Sequence, residues 1–186
     1  MHRKRARRGA PIITTMQATL QDVNTRIFDN RFDNRFARLP PAFYRKVEPT
    51  PLAAPYLVSI SDDAAALLDL DPAETRSERF LNMLAGNLLP PGAEPLAMLY
   101  AGHQFGTFVP QLGDGRAILL GEIVNAKHER WTLQLKGAGE TPFSRTADGR
   151  AVLRSTIREY LCSEAMHALG IPTTRALGIE IGRAHV

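Results

Sequence analysis

Hydrophobic and polar positions change rhythm along this chain. From Trp131 to Leu135 (WTLQL) apolar and polar side chains alternate with the period of a strand, and β-forming residues dominate. Upstream, Ala117 to Val124 (AILLGEIV) predicts a second strand, and the polar stretch Asn125–Arg130 between them predicts a hairpin turn. Downstream the period lengthens. Leu153, Ile157, Tyr160, Leu161 and Ala168 form the apolar stripe of one long helix over Arg150–Leu169, stopped by Gly170-Ile171-Pro172. Thr173–Ile179 reads as a further strand.

The first hundred residues read as mainly helical, with proline-rich joints. Ser61 is a suitable N-cap, with Asp62 and Asp63 at the positive end of the helix dipole ahead of Ala64–Leu70. A second helix is expected over Ala73–Ala85, a turn at Pro90-Pro91-Gly92, and another short helix from Pro95 to Ala101. Prolines 40, 41, 49, 51 and 55 keep residues 39–56 extended and irregular. The tandem Asp29-Asn30-Arg31-Phe32 and Asp33-Asn34-Arg35-Phe36 is too short for a repeat architecture. Its phenylalanines are expected to anchor an N-terminal segment to the body.

Composition narrows the class. The 186 residues are 44% hydrophobic and 23% charged, which suits one globular domain with a real core. No apolar run approaches the ~18 residues of a membrane span. The net charge of +4 sits largely in Met1–Arg8 (MHRKRARR). That tail reads as a nucleic-acid arm, a transit peptide, or translation from a start codon upstream of Met16; no apolar segment follows it as in a secretory signal. The single cysteine, Cys162, excludes an internal disulfide, and the five histidines show no metal-ligand spacing. At the other end, Ile181–Val186 does not continue the strand pattern. It is read as a sequencing-adapter artefact, with a longer protein cut off there.

The chemistry-bearing residues cluster in the second half. Lys136 ends the WTLQL strand and opens onto a loop with Gly137, Gly139, Pro142 and Ser144, followed by Asp148-Gly149 and the long helix. A lysine on a strand end, a glycine-rich loop and a helix carrying glutamates form a phosphate-handling layout: the lysine is a point charge and a glutamate holds it. Twenty residues earlier, Gly113-Asp114-Gly115-Arg116 lets backbone approach a phosphate, and Arg116 can clamp its oxygens. By itself that motif is an ordinary turn. The third glycine of a dinucleotide fingerprint is missing, as is the lysine-hydroxyl pair of a P-loop. Helical phase nominates Glu164 as the partner of Lys136 at least as readily as Glu159. Arg150, Arg154 and Arg158 make a basic ridge, read first as a solvated face and second as a phosphate or partner contact.

These residues resemble the selenoprotein O (YdiU) family of kinase-like protein adenylyltransferases. The resemblance rests on YAGHQFG at Tyr100–Gly106, QLGDGRAILLGE at Gln111–Glu122, and the stretch Leu133–Leu177 that begins LQLKGAGETPFSRTADGRAVLRSTIREYL. It implies an α+β fold: a protein-kinase-like N-lobe, with an antiparallel sheet plus one long helix, behind an N-terminal helical extension. The C-lobe would be absent. Domain boundaries follow: a basic tail at 1–23, the helical extension at 24–101, a truncated nucleotide-binding lobe at 102–180, and the artefact at 181–186. The family binds ATP in a reversed orientation and transfers AMP to Ser, Thr or Tyr hydroxyls of proteins. By resemblance Gly113, Gly115, Arg116, Lys136, Asp148 and Gly149 would bind the nucleotide, with Glu159 paired to Lys136. The cofactors implied are ATP and Mg²⁺, with Mn²⁺ as a substitute. The partners implied are protein substrates, with neither membrane nor nucleic acid. The catalytic aspartate and metal ligands would lie beyond residue 180, so the chain as written is expected to be inactive. The compartment implied is the bacterial cytoplasm, or else a mitochondrion. Alternatives from the residues are an ordinary γ-phosphate kinase and a basic nucleic-acid-binding module.

Overall fold

Strand β5 (Ala117–Val124) is the most enclosed element, with six of its eight residues buried. Its two faces are covered by different parts of the molecule, which is why it reads as an apolar run instead of an alternation. The structure is a computed structural model, and it describes residues 27, 28 and 31–182. β6 (Arg130–Lys136) pairs antiparallel with β5 from Val124↔Arg130 to Ala117↔Lys136. The hairpin between them is closed by Asn125, whose side-chain oxygen accepts from the amides of Lys127 (3.0 Å) and Glu129 (2.8 Å). On the other side of β5 stand β3 (Leu96–Gln104) and then β1 (Tyr44–Lys46), while β4 (Thr107–Gly113) pairs with the outer half of β3. A separate two-stranded sheet joins β2 (Tyr56–Ile60) to β7 (Gly178–Ile181). The helices are α1 (Asp62–Ala66), α2 (Pro72–Thr75), α3 (Glu78–Leu84) and α4 (Leu153–Ala168). The architecture is a mixture of helix and antiparallel sheet.

One irregularity organises the core. The β5–β6 register shifts between Leu119 and Gly121. Such a bulge reverses the alternation of faces. Ile118, Leu120 and Ile123 therefore share the main core with Phe28, Phe80, Met83, Leu133 and Leu135, and Leu119 faces Tyr44 and Leu96 on the other side. At the bulge, Gly121 has φ 149°, and a Cβ there would run into Asn34 and the Phe32 ring. The chain crosses the strand at that point. Asp33 donates its N–H to the Glu122 carbonyl (2.8 Å), the Glu122 N–H donates to Asn34 Oδ1 (3.1 Å), and Arg130 holds Asp33 (2.6 Å). Phe32 packs on the main core and Phe36 on the second cluster. Asp29 and Asn30 of the tandem lie outside the described residues.

Several expected elements differ. The N-terminal part is not a helical extension, because β1 and β3 belong to the main sheet. Pro95–Ala101, expected as a helix, lies mostly in β3, with Leu96 and Ala97 buried. The segment LAMLYA has no clear period, and pairing with β1 and β5 decides it. Ala73–Ala85 divides in two: Asp71 and Glu74 form a capping box for α2, and Ser77 Oγ accepts from the Phe80 N–H to start α3 afresh. The expected Ala64–Leu70 helix shortens to Asp62–Ala66. The long helix begins at Leu153, since Arg150 instead bridges to Ala138. None of its residues is buried, and Ile157 (37% exposed) and Leu161 (61%) of the expected core stripe face outward. The last strand begins at Gly178 instead of Thr173 and runs through Ile181.

Ile181, expected to fall outside the strand pattern, is the last residue of β7. It pairs with Tyr56 and is buried, and Gly182 is pressed against Leu52. Residues 183–186 and the basic tail lie outside the described residues. Replacing Ile181 by Ser removes a buried branched side chain and is expected to lower unfolding stability by about 2–4 kcal/mol in a urea titration. An unchanged midpoint would return this residue to the category of dispensable sequence.

Candidate functional site

The pairing Ala117↔Lys136 sets Arg116, just before β5, and Lys136, at the end of β6, beside one another. The Gly137 N–H donates to the Arg116 carbonyl at 2.7 Å, closing that end of the ladder. Across from them runs α4. Lys136 Nζ lies 2.5 Å from Glu159 Oε2, and Arg116 Nη2 lies 3.5 Å from Glu159 Oε1. The helix-phase ambiguity is resolved by geometry. Glu164 is taken by Arg175, with both carboxylate oxygens at 2.9 Å from the guanidinium. The Arg175 guanidinium holds the Glu164 carboxyl below its ordinary range.

Two cations, Lys136 and Arg116, meet at one carboxylate here. The side chains of Lys136, Arg116 and Glu159 are each between 44 and 47% exposed, so an anion from solvent can reach them. The turn Gly113–Arg116 is wedged between β3 and the loop 141–144. Ser144 Oγ donates to the Gly115 carbonyl (2.5 Å), and Thr141 Oγ1 donates to the Asp114 carbonyl (2.5 Å). A Cβ on Gly113 would strike the ring of Phe143, and one on Gly115 would meet the Phe143 carbonyl. Both glycines are thus required by close approach of that loop. Beside the turn opens a cavity of about 400 Å³, lined by Tyr100, Gln104, Gly113, Gly115, Phe143 and Arg145 among others.

Asp148 and Gly149 make their contacts within the loop that follows Lys136. Asp148 Oδ1 accepts from the Arg150 N–H (2.9 Å), and Gly149, at φ 69°, passes so close to Gly139 that no side chain fits. They close the 137–150 loop back on itself. Arg150 is also occupied: its guanidinium donates to the carbonyls of Thr50 (3.1 Å) and Pro51 (3.3 Å). The expected ridge of three arginines loses a member to this structural role. Asp114 and Arg175 make contacts here that no sequence pattern marks. Asp114 looked like turn chemistry, and Arg175 sits in a segment without periodicity.

Among the described residues, no three His, Cys, Asp or Glu side chains are grouped to hold a metal. No helix among them is long and apolar enough to cross a membrane.

The pattern of the family described as "Protein adenylyltransferase SelO" matches residues 26–184. The chain belongs to the SelO family. It is 63% identical over 154 residues to the "Protein nucleotidyltransferase YdiU" of Thiobacillus denitrificans, covering 83% of this chain and 31% of that protein. The protein of the same name from Ectopseudomonas mendocina is 63% identical over 146 residues, covering 78% and 30%. That from Myxococcus xanthus is 60% identical over 156 residues, covering 84% and 32%. The chain thus spans about a third of the length of these SelO relatives.

The two glutamates of α4 make different contributions. Arg175 is 7% exposed in its side chain, so its pair with Glu164 is shielded, whereas the Glu159 cluster is open to solvent. Glu164→Gln is expected to cost about 1 kcal/mol in chemical denaturation at neutral pH, and Glu159→Gln under about 0.5. Because the folded carboxyl of Glu164 titrates below its ordinary 4.5, its stabilisation is complete above that pH. It is lost as pH falls through the lowered value, so the Glu164→Gln deficit should shrink in acid.

Proposed function

We propose that this chain supplies the nucleotide-holding lobe of an ATP-dependent protein adenylyltransferase, which transfers AMP to Ser, Thr or Tyr hydroxyls. The observation that carries the reading is the Lys136–Glu159 ion pair with Arg116 beside it, in a chain of the SelO family. A strand-borne lysine held by a helix glutamate is the arrangement by which kinase-like proteins grip ATP phosphates. The antiparallel sheet and α4 correspond to a kinase-like N-lobe. On this reading the lobe takes in β1 and the start of β3, which share the main sheet, along with residues 102–180.

In this reading Glu159 holds the Lys136 ammonium in place, and Lys136 and Arg116 meet phosphate oxygens. The glycine backbone of 113 and 115 lets the nucleotide approach closely, and Asp148-Gly149 contributes through the shape of its loop. Mg²⁺ or Mn²⁺, when bound, would neutralise charge on the transferring group. Its ligands and the catalytic aspartate are assigned to the part of the family's length that this chain does not span. The 186-residue chain is accordingly expected to transfer no AMP alone, and measurable transfer by it would refute that assignment. The implied compartment is the cytoplasm.

The deciding experiment uses a full-length protein carrying this sequence, incubated with Mg²⁺ and ATP labelled at the α- or the γ-phosphate. Label on protein from the α-position only, falling at least about a hundredfold in Lys136→Ala, is the expected result. Label from the γ-position only would mean an ordinary kinase and overturn the adenylyltransferase reading.

A further inference from the structure

Among the ties that hold the turn carrying Arg116 is a buried carboxylate that the nucleotide reading leaves unused. Asp114 is 8% exposed, between two glycines that have no side chain with which to fix themselves. Its N–H donates to the Met98 carbonyl (3.0 Å), and its Oδ2 accepts from the Met98 N–H (3.1 Å). Both backbone groups of one β3 residue are therefore satisfied by one residue of the turn. The Asp114 carbonyl receives the Thr141 hydroxyl, so the residue is tied on a second side as well. The Tyr100 hydroxyl lies beside the carboxylate, and Lys136 is the cation that faces it. Burial pushes the Asp114 carboxyl up, while the Met98 amide, Tyr100 and Lys136 oppose that shift.

A carboxylate is a costly group to bury for a turn alone. Here it sits two residues before Arg116, whose guanidinium must stay over Glu159 for the two-cation cluster to exist. We propose that Asp114 is a positioning residue for this site. By clamping the turn to Met98, it holds the glycine backbone and Arg116 in register with Lys136. Its significance for ligand binding rests on the nucleotide reading; the clamp itself does not.

The test separates the two. In ¹⁵N-labelled full-length protein carrying this sequence, relaxation of the Arg116 Nε–Hε group reports how firmly the guanidinium is held, and titration with Mg²⁺-ATP reports binding. Asp114→Ala removes the acceptor, and should leave Arg116 mobile and raise the ATP Kd about tenfold or more. Asp114→Asn keeps an acceptor oxygen for the Met98 N–H, and should restore Arg116 order and bring Kd within about threefold of wild type. If Asp114→Ala does not fold, Asp114→Ser, whose hydroxyl is too short to span to Met98, provides the same contrast. A folded Ala or Ser variant with Arg116 as ordered as in wild type would overturn the clamp. A loosened Arg116 with unchanged ATP binding would overturn its role at the site. Failure of the wild-type protein to bind ATP, with Arg116 loosened in the variant, would remove the nucleotide reading and leave the clamp standing.

Discussion

The register of β6 on β5 is the constraint from which the site follows. With Ala117 opposite Lys136, the two ends of one hairpin deliver two cations to one edge of the sheet. Slipping that register by a single residue would turn Lys136 to the other face. The bulge at Gly121 is part of the same constraint, because it lets the strand bury Ile118, Leu120 and Ile123 together while keeping the far end in phase. The segment 31–38 locks over the bulge through Asn34, Asp33 and Phe32, so the N-terminal part of the chain sets the sheet that carries the site.

What could be read from the residues alone follows from how local each signal is. β5, β6 and their hairpin were legible because pattern, turn and pairing partner are contiguous. The same was true of most of α4. β3 was not, since LAMLYA carries no period and owes its conformation to strands on both sides. β4 contains Pro110 and ends in Gly113, and it pairs with β3 alone, so it offers little of a strand's pattern. β7 depends on β2, more than a hundred residues away in sequence. Its two buried isoleucines are too few to stand out.

The site was legible in kind and ambiguous in detail. Lys136, ahead of Gly137 and Gly139 and of a glutamate-bearing helix, reads as a phosphate-handling layout, and the structure brings Arg116 to the same carboxylate. Helical phase left Glu159 and Glu164 open and the family resemblance named Glu159; in the structure Glu164 is held by Arg175, on the chain's return to β7. Asp148 and Gly149 were expected near the ligand, yet their hydrogen bonds and close contacts lie within their own loop. Arg150, expected on an open ridge, turned out to bind backbone carbonyls.

Helix α4 buries none of its residues. It is tied to the rest by Lys136 and Arg116 on Glu159 and by Arg175 on Glu164, with Tyr160 near Ser59 at 3.5 Å. An element held by apolar contact answers to temperature and denaturant, whereas one held by ion pairs answers to the surrounding electrolyte. The Debye length is ~8 Å at physiological ionic strength and ~3 Å at 1 M salt. Concentrated salt therefore loosens the open Lys136 and Arg116 contacts on Glu159 before it touches the shielded Arg175–Glu164 pair, so the attachment of this helix that answers first to the electrolyte is the one at the site.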